Sequence, residues 1–252
     1  MVETQTPKSL CKLLAGNPYP GRGLAVGFTP DGKSGVIVYF IMGRSANSRN
    51  RIFEEVESDV YTRAYDESKV EDPSLILYAP VRTLLVADYF YVIATNGDQT
   101  DTVFHALKDG KTFESALATR CFEPDAPNYT PRISGLLRCS KQNEPDYTLS
   151  ILKSADAEGH YCNRFFYDYP KRPGAGHFLS TYVTDGSPLP SFSGEPVPID
   201  IPGDVQAFAG DIWENLDENN KISLYVRKLD LETLASESVL INRHGRNEGS
   251  AT

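Results

Sequence analysis

A chain of 252 residues that is 40% hydrophobic can bury a full core, and it is read as a single domain over 1–252 with flexible tails expected at about 1–12 and 245–252. Its 25 Lys and Arg against 34 Asp and Glu leave a net charge of -9, which opposes broad attraction to nucleic acid or to an anionic membrane. A phosphorylated ligand would therefore need a local basic pocket.

In chain order, residues 23–29 and 35–42 are short apolar runs flanking Pro30-Asp31-Gly32-Lys33, a turn sequence whose glycine takes positive φ readily, and they predict a hairpin. The second run, Val36 to Met42, is apolar without alternation, so both of its faces are expected to be covered. Further strands are predicted at 74–78, 82–86 and 89–95. The period then changes. Val103, Phe104, Leu107, Phe113, Ala116 and Leu117 recur at helical spacing and predict helices over 100–108 and 112–121, separated at Gly110. Strands are expected again at 133–139, 147–153, 162–167 and 177–183. A proline-rich loop over 188–202 follows, then an amphipathic helix near 204–216 and a strand at 221–228. Strands in runs and helices in runs give an α+β class, with stacked sheets between helical layers.

Other signals are mostly exclusions. Cys11, Cys121, Cys139 and Cys162 form no CxxC pair and are read as reduced, mostly buried thiols, with no metal site and no redox motif. Gly21 to Gly27 is no dinucleotide loop, because its glycines precede a strand. The four histidines show no HxH or HExxH spacing, and His177, beside Pro173-Gly174-Ala175-Gly176, is the one placed to reach a site from a loop. No apolar run approaches the roughly 20 residues of a membrane span, and residues 1–12 have no signal-like apolar core, so a cytoplasmic protein is expected.

The most informative stretch is Gly43-Arg44-Ser45-Ala46-Asn47-Ser48-Arg49-Asn50-Arg51, directly after the hairpin. Three guanidinium forks with serine and asparagine donors suit bidentate phosphate recognition. The competing reading is a solvated turn paired with Glu54, Glu55 and Glu57.

Together with Asn17-Pro18-Tyr19-Pro20-Gly21-Arg22-Gly23, Thr95-Asn96-Gly97-x-x-Thr100-Asp101, Tyr129-Thr130-Pro131-Arg132-Ile133 and the shorter Ser180-Thr181-Tyr182, this stretch resembles the successive motifs of the archaeal-type IMP cyclohydrolases and their bacterial relatives. The resemblance implies a four-layer α-β-β-α sandwich like that of N-terminal-nucleophile hydrolases but without the N-terminal nucleophile, and Met1-Val2 carries none. It implies cofactor-free closure of the second purine ring, from 5-formamidoimidazole-4-carboxamide ribonucleotide to inosine monophosphate. The expected partner is thus a purine nucleotide monophosphate, with neither nucleic acid nor membrane involved, and a homo-oligomer is plausible by the same resemblance.

Carried onto this chain, Arg44 and Tyr78 orient and polarise the formyl oxygen, and Glu123 transfers the proton, with Asp125 the alternative two positions on. Arg49, Arg51 and Arg132, with Ser45 and Asn47, are the expected phosphate contacts, and Asn96 and Asp101 the expected contacts to ribose or base. Two other readings fit the same residues: a nucleotide-binding regulatory protein without turnover, and an amidohydrolase acting on a related formamide.

Overall fold

The computed structural model describes residues 6–70 and 78–245. Two antiparallel sheets carry the fold. The six-stranded sheet runs β11-β10-β1-β2-β12-β13 and the seven-stranded sheet runs β3-β4-β5-β6-β7-β8-β9. The hairpin forms as expected, from β1 (Arg22–Phe28) and β2 (Ser34–Met42), with Val26 opposite Ile37 and Gly32 at φ 67° in the turn.

All nine residues of β2 are buried. Ile37, Tyr39 and Ile41 point into the core between the sheets, where they meet Leu24, Val92, Leu137, Leu149 and Ile151. Val36, Val38, Phe40 and Met42 point the other way, onto α1 (Leu10–Leu14) and α5 (Val205–Asn215). On the far side, Ile93, Leu136 and Leu152 meet α3 (Gln99–Lys108) and α4 (Phe113–Leu117). The period-2 alternation of a strand thus supplies two apolar surfaces from one unbroken run, which is why the sequence lacks alternation there.

The remaining predicted strands appear as β5 (Val81–Val86), β6 (Tyr89–Thr95), β7 (Arg132–Ser140), β8 (Asp146–Ser154), β9 (Cys162–Pro170), β10 (Ala175–Ser180) and β12 (Lys221–Asp230). The strand expected over 74–78 falls, except for Tyr78, outside the described residues.

Several elements differ from expectation. The acidic stretch after the basic loop is a hairpin, β3 (Arg51–Val56) and β4 (Asp59–Ala64), whose turn carries Glu57 at φ 56° with no glycine or asparagine to announce it. The proline-rich loop contains β11 (Val197–Asp200), an edge strand in which Pro198 costs no ladder donor toward the core. β13 (Ser236–Asn242) extends the sheet beyond β12.

Residues 8–12, expected within a flexible tail, are packed: Lys8 bridges Ile199, and Leu10 and Leu14 of α1 are fully buried against α5. The thiols are also less buried than expected, since Cys121 is exposed, Cys11 and Cys162 are intermediate and only Cys139 is buried. Among the described residues no helix is long and apolar enough to cross a membrane.

If α1 belongs to the folded unit, Leu10→Ala should cost about 2–5 kcal/mol, the usual range for emptying such a site. Urea denaturation with an unchanged m-value would register it; a loss below about 0.5 kcal/mol, typical of surface positions, would return α1 to the tail.

Candidate active site

The motif residues gather where strand ends of both sheets meet. Arg22 opens β1, Met42 closes β2, Ser180 closes β10, Arg51 opens β3, Arg132 opens β7 and Tyr78 stands three residues before the start of β5. Because the chain passes from the end of β2 to the start of β3 in only eight residues, the two sheets present this end together.

Arg22 is aimed by its neighbours. Gly21 stands at φ 78°, and a Cβ there would lie 2.3 Å from Thr181 Oγ1; a Cβ on Gly23 would lie 2.1 Å from Phe40 Cζ. The Arg22 backbone is clamped to Thr181, donating to its Oγ1 at 3.1 Å and accepting from its amide at 2.9 Å. Its Nε is buried and without a partner among the described residues.

Arg51 is 2% exposed. Its Nε donates to Ser48 O at 2.7 Å and its Nη2 to Met42 O at 3.4 Å, so carbonyls rather than a carboxylate receive it. Burial, and then the nearby Arg22 charge, hold its pKa below the ordinary guanidinium value. For Arg22, burial works in the same downward direction but is outweighed by Glu123 and by Tyr19, Tyr78 and Tyr182, and the net shift is upward.

Glu123 faces this pair. Burial pushes its carboxyl above the usual range, opposed by Arg22, Arg132 and Arg51 in that order among the cations. Asp125, the alternative proton carrier, has both oxygens committed to Thr130, one to its backbone amide at 2.6 Å and one to its hydroxyl. Asp125 therefore braces the loop, and Glu123 is the carboxylate directed at the arginines.

Tyrosines complete the wall. The hydroxyls of Tyr39 and Tyr78 are 3.0 Å apart. Tyr182 shares a hydrogen bond of 2.5 Å with Thr130 Oγ1 and stacks on Tyr19 with ring centroids 6.0 Å apart.

The basic loop divides between rim and interior. Residues 46–49 form the short helix α2 (Ala46–Arg49), closed by a reciprocal cap in which Ser45 Oγ accepts from Ser48 N at 3.1 Å and Ser48 Oγ accepts from Ser45 N at 3.0 Å. Ser45 is thereby engaged as a cap. Arg49 donates to Gly43 O and Asn220 Oδ1. Arg44 lies 5.1 Å over the Tyr19 ring but is half-exposed and tied outward to Asp185 at 2.5 Å and to Gly186 O at 3.0 Å. Asn47 has a buried Oδ1 that finds no partner among the described residues.

The solvated-turn reading fails on its partners, because Glu54 pairs with Arg63 and Glu55 with Arg227.

Two expected contacts stand apart from the cluster. Asn96 is fully buried and consumed by structure, donating to Pro131 O and accepting from Ile133 N and Gln99 Nε2. Asp101 is half-exposed on α3 and pairs with Arg82 at 2.8 Å. Arg132 lies between, electrostatically coupled to Glu123 but bonded to Gln99 Oε1 at 2.6 Å and Asp98 at 2.9 Å.

His177 does not reach the site either. It lies on β10 opposite Val26, three residues beyond the Gly23 pairing, and hydrogen-bonds Tyr147 at 2.6 Å; burial and Arg172 lower its pKa to about 4.

Over residues 19–233 the chain matches the family model described as IMP cyclohydrolase-like protein. The chain belongs to the IMP cyclohydrolase-like family. No curated protein matches it. In this IMP cyclohydrolase-like protein the convergent side chains are Arg22, Arg51, Tyr39, Tyr78, Glu123 and Tyr182. Of these the sequence reading named Arg51, Tyr78 and Glu123. Arg22 and Tyr182 sat within quoted motifs without a role, and Tyr39 was hidden in the apolar run of β2.

The folded Glu123 carboxyl holds its proton more tightly than it would in the unfolded chain. Its contribution to stability is therefore full below the ordinary carboxylate midpoint and is lost as pH rises through the elevated folded one. Across that window Glu123→Gln should gain stability relative to the parent as pH rises, measured by urea denaturation at stepped pH. Arg22→Gln, which removes the largest downward influence, should move the Glu123 side-chain ¹³C titration further upward. An unmoved midpoint would separate the two residues.

Proposed function

We propose that the protein is an IMP cyclohydrolase, closing 5-formamidoimidazole-4-carboxamide ribonucleotide to inosine monophosphate with loss of one water. The observation that carries this reading is the pairing of buried Arg51 and half-buried Arg22, neither in a salt bridge among the described residues, with an elevated carboxyl and tyrosine hydroxyls at one end of the sandwich. Holding two like charges together, with a single carboxyl that burial keeps toward its neutral form to offset them, is costly unless a ligand supplies a further anion. In a chain of net charge -9, that arrangement is the local basic pocket that a phosphorylated substrate requires.

The chemistry asks for few groups. The carboxamide nitrogen is tethered to the ring that bears the formamide, so holding the formyl group in its closing rotamer supplies much of the advantage. Nitrogen attack places negative charge on the formyl oxygen, and donors aimed there stabilise the transition state more than the ground state. Tyr78, whose hydroxyl is backed by Tyr39, and one buried guanidinium take that role. Glu123, held toward its protonated form, first gives its proton to the developing alkoxide, then as carboxylate takes up the proton that nitrogen releases and returns it as the hydroxyl departs, so that water leaves.

Arg44 then belongs at the mouth, where release from Asp185 would let it meet the phosphate. Its earlier assignment to the formyl oxygen passes to Arg22, because Arg22 lies inside the cluster and Arg44 does not. Arg51 and Arg132 remain the inner phosphate candidates. The stacked sheets take the part of a scaffold like that of the N-terminal-nucleophile hydrolases.

Ring closure followed by ultraviolet absorbance tests the reading. Tyr78→Phe should lower kcat about 10²–10³-fold, the cost of one such donor, and Glu123→Gln about 10²–10⁴-fold, with nucleotide binding retained in both. Wild-type protein that binds the formyl substrate without turning it over would leave a nucleotide binder; formate release without ring closure would mark an amidohydrolase.

A further inference from the structure

Four strand edges bound the two sheets, and three are dressed. The edge of β3 is met by Asn242 of β13, which accepts from Phe53 N at 2.8 Å and donates to Phe53 O at 2.9 Å, so the β3 and β13 edges close on each other. The edge of β11 carries the Lys8 bridge. β9 is different. It is nine residues long and its main chain hydrogen-bonds β8 alone; among the described residues no other backbone group bonds to the backbone of β9, although its side chains Arg164 and Tyr167 donate to the carbonyls of Arg120 and Gly194. A long open edge is a template for another strand, and proteins usually blunt it.

The side chains of β9 are arranged about Phe166. Cys162 and Phe166 pack toward the α3–α4 layer, so by strand alternation Arg164 and Asp168 share that face; Tyr167 and Tyr169 pack toward the core between the sheets, with Phe165 on their side. In an antiparallel pairing of β9 with a second β9, a twofold axis at Phe166 sets each Arg164 opposite an Asp168 and each Phe165 opposite a Tyr167. Two opposite-charge pairs and two aromatic pairs result, the cross-strand combinations that stabilise a sheet.

The outer residues are available. Asn163, Arg164, Phe165 and Asp168 are exposed, with Phe165 at 38%, and Tyr161 just before the strand is 72% exposed. Arg164 is already extended along the strand, donating to Arg120 O at 2.7 Å, and Asp168 is held by Thr148 Oγ1 at 2.6 Å.

We propose that the β9 edge is a homodimer interface, in which two copies pair antiparallel about Phe166 and join their seven-stranded sheets into one. Self-complementarity favours a second copy over a foreign strand, since an isologous contact requires a residue and its opposite to lie on the same segment.

Sedimentation or light scattering of the full chain, with Arg164→Asp, Asp168→Arg and the double exchange, tests this. Wild type should be dimeric at about 10 µM, and each single reversal should weaken the dimer at least about tenfold by setting like charges opposite one another. The double exchange restores both pairs and should recover wild-type association. Circular dichroism melts verify that each variant is folded. A monomeric wild type, single variants that stay fully dimeric, or a folded double exchange that stays monomeric would each overturn the proposal. As a second measure, wild-type amides of β9 should lose hydrogen-exchange protection on dilution; concentration-independent exchange there would count against it.

Discussion

Every layer of the molecule is placed by the requirement that β2 be covered on both faces. One face of this strand forms part of the core between the sheets, and the other receives α1 and α5. Its centre in the six-stranded sheet leaves no position for water, so its polar atoms must be satisfied within the protein. That constraint reaches the site directly. Tyr39, in the middle of β2, brings a hydroxyl into the core and finds a partner in Tyr78 from the opposite sheet. The C-terminal end of the same strand supplies the Met42 carbonyl that receives Arg51.

The charges at this end are kept apart from the acidic surface by burial. Asp185 holds Arg44 outside, Asp98 holds Arg132 from α3, and Asp125 is taken up by Thr130. Among the described residues Glu123 remains to face Arg22 and Arg51, and burial weakens its ionised form. Two guanidiniums thus share one weakly ionised carboxyl in a negative chain, an arrangement created more by where carboxylates are withheld than by an excess of basic residues. Charges in such a setting act more strongly than on the surface because less solvent screens them.

Much of the fold could be read from the sequence because apolar pattern and turn chemistry agreed: the β1–β2 hairpin, the paired helices about Gly110 and the strands on either side of them follow from pattern alone. β3 and β4 escaped because the adjacent charges Glu54 and Glu55, with Arg63 on the partner strand, break the strand period, and their turn uses Glu57. In the site, Tyr78 and Glu123 were recoverable only through the family motifs, since a lone tyrosine or glutamate carries no pattern. Arg22 was missed because a charged residue between glycines ahead of a strand looks like a solvated turn. Nothing in composition says which of Arg44, Arg49 and Arg51 points inward; the helical turn of α2 decides it by rotating Arg49 toward Gly43 and leaving Arg51 to open β3.

The two glycines beside Arg22 have one further implication. With no room for a Cβ at either position, the floor beneath that guanidinium is bare main chain, locked to Thr181 and pressed on Phe40. The cluster around Arg22 is therefore more readily reshaped from its aromatic sides, at Tyr19 and Tyr182, than along β1. Sequence change at this end of the sandwich, in evolution or in the laboratory, has those two rings to vary and little freedom along β1.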